Sequence, residues 1–244
     1  MTRRLVGLAL VLVAAWGCSG RPAEESGDFA EIPGMGATRI DVPRPTGGDS
    51  ATCDADPLPP TSDETIADRV TALRVIGLFA DRPDVDDAAL AAEVEAGITE
   101  IWGDTLEPDD PLIDLVVAEQ DEQRVWWRDL EADVTDGNAV YVTTLEELGA
   151  ISAGGFLPED ITETWASDEG PVTIEFTSNG EPHEISAAYF DDFIDPGILA
   201  SINELIAPAG REFELYKAFD QSALVMALTD AERTGLEARG WCFE

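Results

Sequence analysis

The chain contains a single histidine, His183, and three cysteines, Cys18, Cys53 and Cys242. Structural zinc sites use four histidine or cysteine ligands, and a Ser-His-Asp triad needs a histidine as its base. The sequence also lacks the G-x-S-x-G, H-E-x-x-H and P-loop spacings. His183 lies on a predicted strand, where a surface position is the ordinary one. We therefore predict no catalytic residue, no metal ligand and no cofactor.

Carboxylates beside aromatic residues are the other groups to consider, because two carboxylates alone catalyse glycoside hydrolysis when one of them keeps its proton. The groups are Glu159 and Asp160, Glu163 beside Trp165, and Asp191, Asp192 and Asp195 among Tyr189, Phe190 and Phe193. With 51 acidic residues in the chain, such neighbourhoods arise by chance. The last group precedes a predicted helix, where carboxylates cap free amides. Capping is the favoured interpretation, with catalysis and calcium binding as alternatives.

The charge balance of the chain is strongly acidic, with 14 basic residues, 51 acidic residues and a net charge of −37. Such a charge repels phosphate backbones and anionic lipid headgroups, so we predict no nucleic-acid partner. Two interpretations stay open. The favoured one is an acidic surface that maintains solubility, and the other is a field that attracts a cationic partner such as a basic protein.

The hydrophobic patterning predicts an α+β domain over residues 61–244, in which an N-terminal helical pair precedes antiparallel β-hairpins with covering helices. Thr61 and Glu64 have capping-box spacing for the first helix, and the second runs from Asp86 or Asp87 to Trp102. Residues 112–117 fit either a strand or a helix.

Residues 124–127 and 139–142 read as strands, and Thr144 with Glu147 has the spacing of a further helix cap. The C-terminal end has the predicted order ββαββα. Its hairpins are 172–177 with 183–189 around Asn179-Gly180, and 213–219 with 223–228; its helices begin at Asp195-Pro196 and at Thr229 with Glu232.

The N-terminal residues have the pattern of an export signal, with Arg3 and Arg4 before the apolar run 5–15. This run is shorter than the about 20 residues that a membrane-spanning helix needs. The following Ala15-Trp16-Gly17-Cys18 resembles the lipobox of bacterial lipoproteins, although Ala15 replaces the commoner Leu and Trp16 is a bulky departure. The resemblance covers residues 1–20 and implies cleavage after residue 17 and lipidation of Cys18.

These features predict a signal peptide over 1–17, a lipidated and disordered acidic tether over 18–60, and a folded domain over 61–244, because the Pro/Gly-rich tether has too little apolar surface to pack. Cys53 and Cys242 lie near the two ends of that domain, and an exported compartment permits a disulfide between them. The alternative is two unrelated thiols.

The leading functional hypothesis is a non-catalytic, acidic interaction domain that a lipid holds at the bacterial cell envelope, facing the periplasm or the exterior. The alternatives are an immunity or inhibitor protein for a basic enzyme, whose association a strong negative charge would speed, and a carboxylate-based hydrolase of envelope glycans.

The lipid assignment predicts that cells fed a labelled lipid precursor incorporate the label into the wild-type protein and not into Cys18→Ala, because the thiol is the attachment point. Radiolabel on the immunoprecipitated protein measures this. Label that persists in Cys18→Ala, or an unlabelled wild type, would contradict the assignment.

Overall fold

The computed structural model describes residues 63–103, 110, 112–219 and 221–243, with the backbone alone at 217–219. These residues belong to one unit of the chain, Ser50–Glu244. The predicted signal peptide, Cys18, the tether, Cys53 and Thr61 lie outside them. In order, the elements are α1 (Ile66–Ile76), α2 (Asp87–Trp102), α3 (Ile113–Glu119), β1 (Val125–Asp129), α4 (Val140–Ile151), β2 (Pro158–Trp165), β3 (Val172–Ser178), β4 (Glu181–Ala187), α5 (Ile198–Ile206), β5 (Glu212–Phe219), β6 (Ser222–Leu228) and α6 (Asp230–Glu237).

The fold is α+β, and the predicted ββαββα order is confirmed by β3 through α6. Within the described residues, no helix has the length and apolarity needed to cross a membrane. Cys242 is half-buried between the buried Trp241 and Phe243. Because Cys53 lies outside the described residues, its bridge to Cys242 stays a prediction.

Strand β6 is the centre of the first sheet, which has the order β1-β6-β5 and is antiparallel throughout. Six consecutive apolar residues of β6, 223–228, are buried. An apolar run without alternation is typical of a strand that is covered on both faces. Leu224 and Met226 pack into one hydrophobic core, and Ala223 and Val225 pack into another on the opposite face.

The helices contribute to different cores. The first core, on one face of the β1-β6-β5 sheet, contains buried residues of α1, α2, α3 and α6. The second core lies between the other face and the second sheet, with α4 and α5 contributing to it. The sheet therefore joins two separate hydrophobic layers.

The second sheet has the order β2-β3-β4 and covers the second core with one face only. Val172, Ile174 and Phe176 of β3 are buried in alternation, as a half-exposed antiparallel sheet requires. The β3–β4 turn is Asn179-Gly180, and both residues have a positive φ, 55° and 80°. This hairpin was predicted by the Asn-Gly signal and is confirmed.

The predicted second helix and last cap are also confirmed. Helix α2 starts after the N-cap Asp86, whose side chain accepts from the amide of Ala89. Thr229 and Glu232 form the predicted capping box of α6. The first helix starts later than expected, since the box is formed by Thr65 and Asp68.

The interpretation of residues 139–142 as a strand is wrong. The segment opens helix α4, with Ala139 in a left-handed conformation at the N-cap and no side-chain cap of its own. The proposed cap at Thr144 and Glu147 is also wrong, because both residues lie inside α4. Residues 112–117 belong mostly to helix α3, and 124–127 mostly to strand β1.

Buried ion pairs connect the helices around the first core. Asp114 of α3 accepts from Arg69 of α1, both side chains being at most 5% exposed, and it also pairs with Arg239 at 3.1 Å. Arg239 extends the chain of charges to Glu64 at 2.6 Å. Because these residues come from three distant parts of the sequence, the pairs fix how α1, α3 and the C-terminal segment meet.

A second buried cluster centres on Glu232 of α6, which pairs with Arg124 at 2.9 Å and Arg211 at 2.8 Å. Burial opposes its ionisation, but the amide of Thr229 and the two guanidinium groups lower the pKa of Glu232. Gly77 makes room for this cluster: its φ is 131°, and a Cβ there would lie 2.6 Å from Glu232 Oε1.

Candidate functional site

His183 lies on strand β4 opposite Phe176, with its ring 5.5 Å from the phenylalanine ring. The side chain is half-buried. Within the part of the chain that the structure describes, no group of three or more histidine, cysteine, aspartate or glutamate residues is placed to hold a metal ion. Since Phe176 and the alternate β4 residues Ile185 and Ala187 are buried, His183 lies at the margin of the core-facing side of the strand and not on the outer surface where it was expected.

Glu163 of β2 has a structural role that was not predicted from the neighbouring sequence. Its Oε2 accepts the backbone amide of Tyr141 at 2.9 Å, and its Oε1 accepts the indole N–H of Trp165 at 3.1 Å. Tyr141 is the second residue of α4, whose first amides have no local side-chain cap. Glu163 therefore caps α4 from a strand 22 residues away.

The predicted capping of the following helix by Asp195 is wrong, because α5 begins after the N-cap Gly197 and has no side-chain cap. Asp195 instead stabilises the turn that precedes the helix. Its two oxygens accept the amides of Ala188 at 2.7 Å and Gly197 at 2.8 Å. Glu159 and Asp160 are exposed at the irregular part of β2, where the register to β3 shifts. Glu163 and Asp195 thus have structural roles.

Five of the remaining predicted residues, together with Asp168 and Glu169, form what we call the acidic–aromatic face. It consists of Trp165, Asp168, Glu169, Tyr189, Phe190, Asp191 and Asp192. The rings of Trp165 and Tyr189 meet edge to face at 6.0 Å, which joins the end of β2 to the loop after β4. Phe190 is 53% exposed beside them.

Four exposed carboxylates surround the aromatic groups of this face. Partial desolvation and then Asp191, Glu169, Asp192 and Asp168 raise the pKa of Tyr189. A carboxylate raises the pKa of a phenol because its charge disfavours the phenolate. All four acids therefore lie close enough to act on one ring, and their fields add at that point of the surface.

The arginines of the described residues do not offset this surface charge. Each of the eight forms an ion pair with a carboxylate of the same chain; they are Arg69, Arg74, Arg82, Arg124, Arg128, Arg211, Arg233 and Arg239. Most of these side chains are less than one-third exposed. Most of the carboxylates that remain in the described residues face solvent, so the outer surface is anionic.

A separate cleft of about 270 Å³ lies between β1 and α4. Its polar walls are formed by Arg128, Asp129, Asn138, Thr143 and Glu147. Glu147 accepts from Arg128 Nε at 3.2 Å and Nη2 at 3.1 Å, and from the indole N–H of Trp126 at 2.6 Å. Sequence reasoning missed this cleft, because Glu147 and Arg128 have no local pattern that relates them.

Two buried carboxylic acids have raised pKa values. Burial raises the pKa of Glu214 on β5 to about 7, against the attraction of Arg233 at 2.7 Å. Burial also raises the pKa of Asp121 to about 6, although Asp121 accepts the amide of Phe79. Neither residue lines the cleft or belongs to the acidic–aromatic face.

Comparisons with protein-family models, with curated proteins and with solved structures found no match to this chain. The acidic–aromatic face and the cleft are the two surface features of the described residues that could bind a partner or ligand.

The raised pKa of Glu214 predicts a pH-dependent stability. Its usual value is 4.5 and its folded value about 7, so between these pH values the folded state holds a proton that the unfolded state has released. The stabilisation is complete below pH 4.5 and is lost as the pH rises through about 7.

We expect the free energy of unfolding in urea to fall by about 1–3 kcal/mol more in the wild type than in Glu214→Gln over this range. Glu204→Gln, an exposed substitution, is the control and should follow the wild type. Parallel curves for the wild type and Glu214→Gln would contradict the buried, protonated state of Glu214.

Proposed function

We propose that the protein is a lipid-anchored component of the bacterial cell envelope whose folded domain is a non-catalytic interaction module for a cationic protein. The lipid at Cys18 and the tether over 18–60 hold the domain near a membrane surface, because stable anchoring needs more than one acyl chain and the lipoprotein modification supplies several. The domain itself supplies the recognition.

The observation that carries this proposal is that all eight described arginines are used inside the domain. The charge that a partner meets is therefore carboxylate. A field of one sign raises the rate of encounter with an oppositely charged protein by about 10- to 1,000-fold at low salt. A basic partner would be captured quickly, and an anionic one would be excluded.

The acidic–aromatic face is the place where such a partner would dock. An exposed Phe190 beside the Trp165–Tyr189 pair adds apolar contact to four carboxylates. Aromatic groups are enriched at protein interfaces, and they also attract the cationic ends of lysine and arginine side chains. The face thus combines steering by charge with contacts that hold the partner after encounter.

A photo-crosslinking amino acid in place of Phe190 tests the proposal. We expect it to form a covalent adduct with a basic protein in intact cells. We expect the yield of this adduct to fall as the salt concentration rises. The matched control carries the same group in place of Val75, which is 84% exposed on α1 and far from the face in sequence. An absent adduct, or one equally strong from position 75, would contradict the proposal.

Neutralising the carboxylates of the acidic–aromatic face tests whether binding depends on this face or only on the net charge of the domain. Asp168→Asn, Glu169→Gln, Asp191→Asn and Asp192→Asn together should lower the association rate with the crosslinked partner about tenfold at low salt and little at high salt. The control neutralises four other exposed carboxylates, Glu95, Glu100, Glu146 and Glu204. If the two sets lowered the association rate equally, binding would depend on the net charge alone, and the acidic–aromatic face would not be the docking site.

A further inference from the structure

The cleft between β1 and α4 is limited in size. Its volume of about 270 Å³ lies just under the about 300–1,000 Å³ of most small-molecule sites. Trp126, Thr144 and Ile194 line both this cleft and an apolar void of about 10 Å³. That void is at the limit of what one water needs, about 10–15 Å³. A ligand can therefore occupy the open cleft and not the interior, and only one ring-sized group fits.

Arg128 presents hydrogen-bond donors to this cleft in a fixed orientation. Three of its five N–H groups are used: two bind Glu147, and Nη1 donates to the carbonyl of Trp127 at 2.9 Å. Each terminal nitrogen keeps one N–H with no acceptor among the described residues. The side chain is 46% exposed, so these two donors are accessible, and Glu147 prevents the guanidinium from turning away.

The same cleft presents acceptors. Asp129 accepts the amide of Glu131 at 3.0 Å through one carboxylate oxygen, and its second oxygen has no donor among the described residues. Asn138 uses both amide hydrogens on Asp133, at 2.8 Å and 3.0 Å, which leaves its side-chain carbonyl oxygen. Donors and acceptors thus lie side by side, and a hydroxyl group, which both donates and accepts, matches such a surface.

The net charge of the cleft further restricts the class of ligand that can bind. Arg128 is neutralised by Glu147, and Asp129 leaves the cleft slightly negative within a chain of net charge −37. An anion would be repelled by this field, and a cation would meet the guanidinium at the centre of the cleft. The apolar side chains of Val140 and Ile194 complete the walls and fit the C–H face of a ring.

We propose that the cleft binds one uncharged, hydroxyl-rich ring, the neutral sugar unit of a glycan. Arg128 donates to the sugar oxygens, Asp129 and Asn138 accept from its hydroxyls, and Glu147 positions Arg128. This binding goes beyond recognition of a cationic protein, uses none of the residues of the acidic–aromatic face, and is insensitive to salt because the ligand carries no charge.

Titration of the purified whole protein with oligosaccharides, followed by ¹H–¹⁵N NMR, tests the cleft. The neutral probes are cellotetraose, chitotetraose and maltotetraose, and the anionic probe is tetragalacturonate. We expect at least one neutral probe to shift the indole N–H of Trp126 saturably at low and high salt, and we expect tetragalacturonate to bind at least about tenfold more weakly.

Arg128→Gln should weaken binding of that probe about tenfold or more, since it removes charge-assisted donors. Arg128→Lys, which keeps the charge and loses the planar fork, should weaken it as well. Arg82→Gln removes an arginine of similar exposure that pairs with Glu93 and should bind as the wild type does. The fourfold variant of the acidic–aromatic face should also bind the sugar normally, so failure of the protein–protein proposal and failure of this one are distinguishable.

Three outcomes would overturn the proposal: no shift of Trp126 or of cleft amides with any neutral probe, stronger binding of tetragalacturonate, or unchanged binding by both Arg128 variants. Thermal unfolding of each variant checks that it folds. Arg128→Lys keeps the test valid if Arg128→Gln does not fold.

Discussion

The double pairing of Asp114 with Arg69 and Arg239 is the contact on which the first core depends. An ion buried without its partner is strongly destabilising, because the protein interior does not replace the water that the charge has lost. The partners lie 45 and 125 residues from Asp114 in the sequence, so a single carboxylate fixes the relative positions of α1, α3 and the C-terminal segment. The Glu232 cluster repeats the arrangement between α6 and the strand ends.

This internal use of arginine determines what the surface can do. With 51 acidic and 14 basic residues in the chain, each arginine that pairs inside the domain leaves the exterior more negative. The pairing of arginines within the domain therefore affects both the fold and the surface charge. The charges that hold the helices together are the charges that could have offset the surface, and the anionic field follows from their burial. Arg128 differs, since its pairing orients a guanidinium that stays 46% exposed.

Turns and helix starts that depend on residues close together in the sequence were predicted correctly. The Asn179-Gly180 turn, the capping box at Thr229 and the N-cap at Asp86 each act within a few residues, and each was found in the structure. The strand predicted over residues 223–228 was likewise found, as β6. The predicted capping of α5 by Asp195, by contrast, is not found, since the N-cap Gly197 has no side-chain cap.

Elements that depend on distant partners were not predictable in this way. Helix α4 begins with β-branched and aromatic residues, which favour strands, and its amide cap comes from Glu163, in another element. Strand β2 is an edge strand whose residues are at most half-buried, so it has no clear apolar alternation. The Arg128–Glu147 pair, which shapes the cleft, spans 19 residues. Tertiary contacts decide these features.

The most direct test of the account compares two carboxylates that pair with arginine in different environments. Asp114→Asn should lower the free energy of unfolding by about 3–5 kcal/mol, because it removes the buried carboxylate whose charge Arg69 and Arg239 share. Glu93→Gln, at a pair whose carboxylate side chain is 57% exposed, should lower it by less than about 1 kcal/mol. Urea denaturation at neutral pH measures both. Equal, small losses for the two variants would contradict the claim that buried arginine pairs hold the domain together.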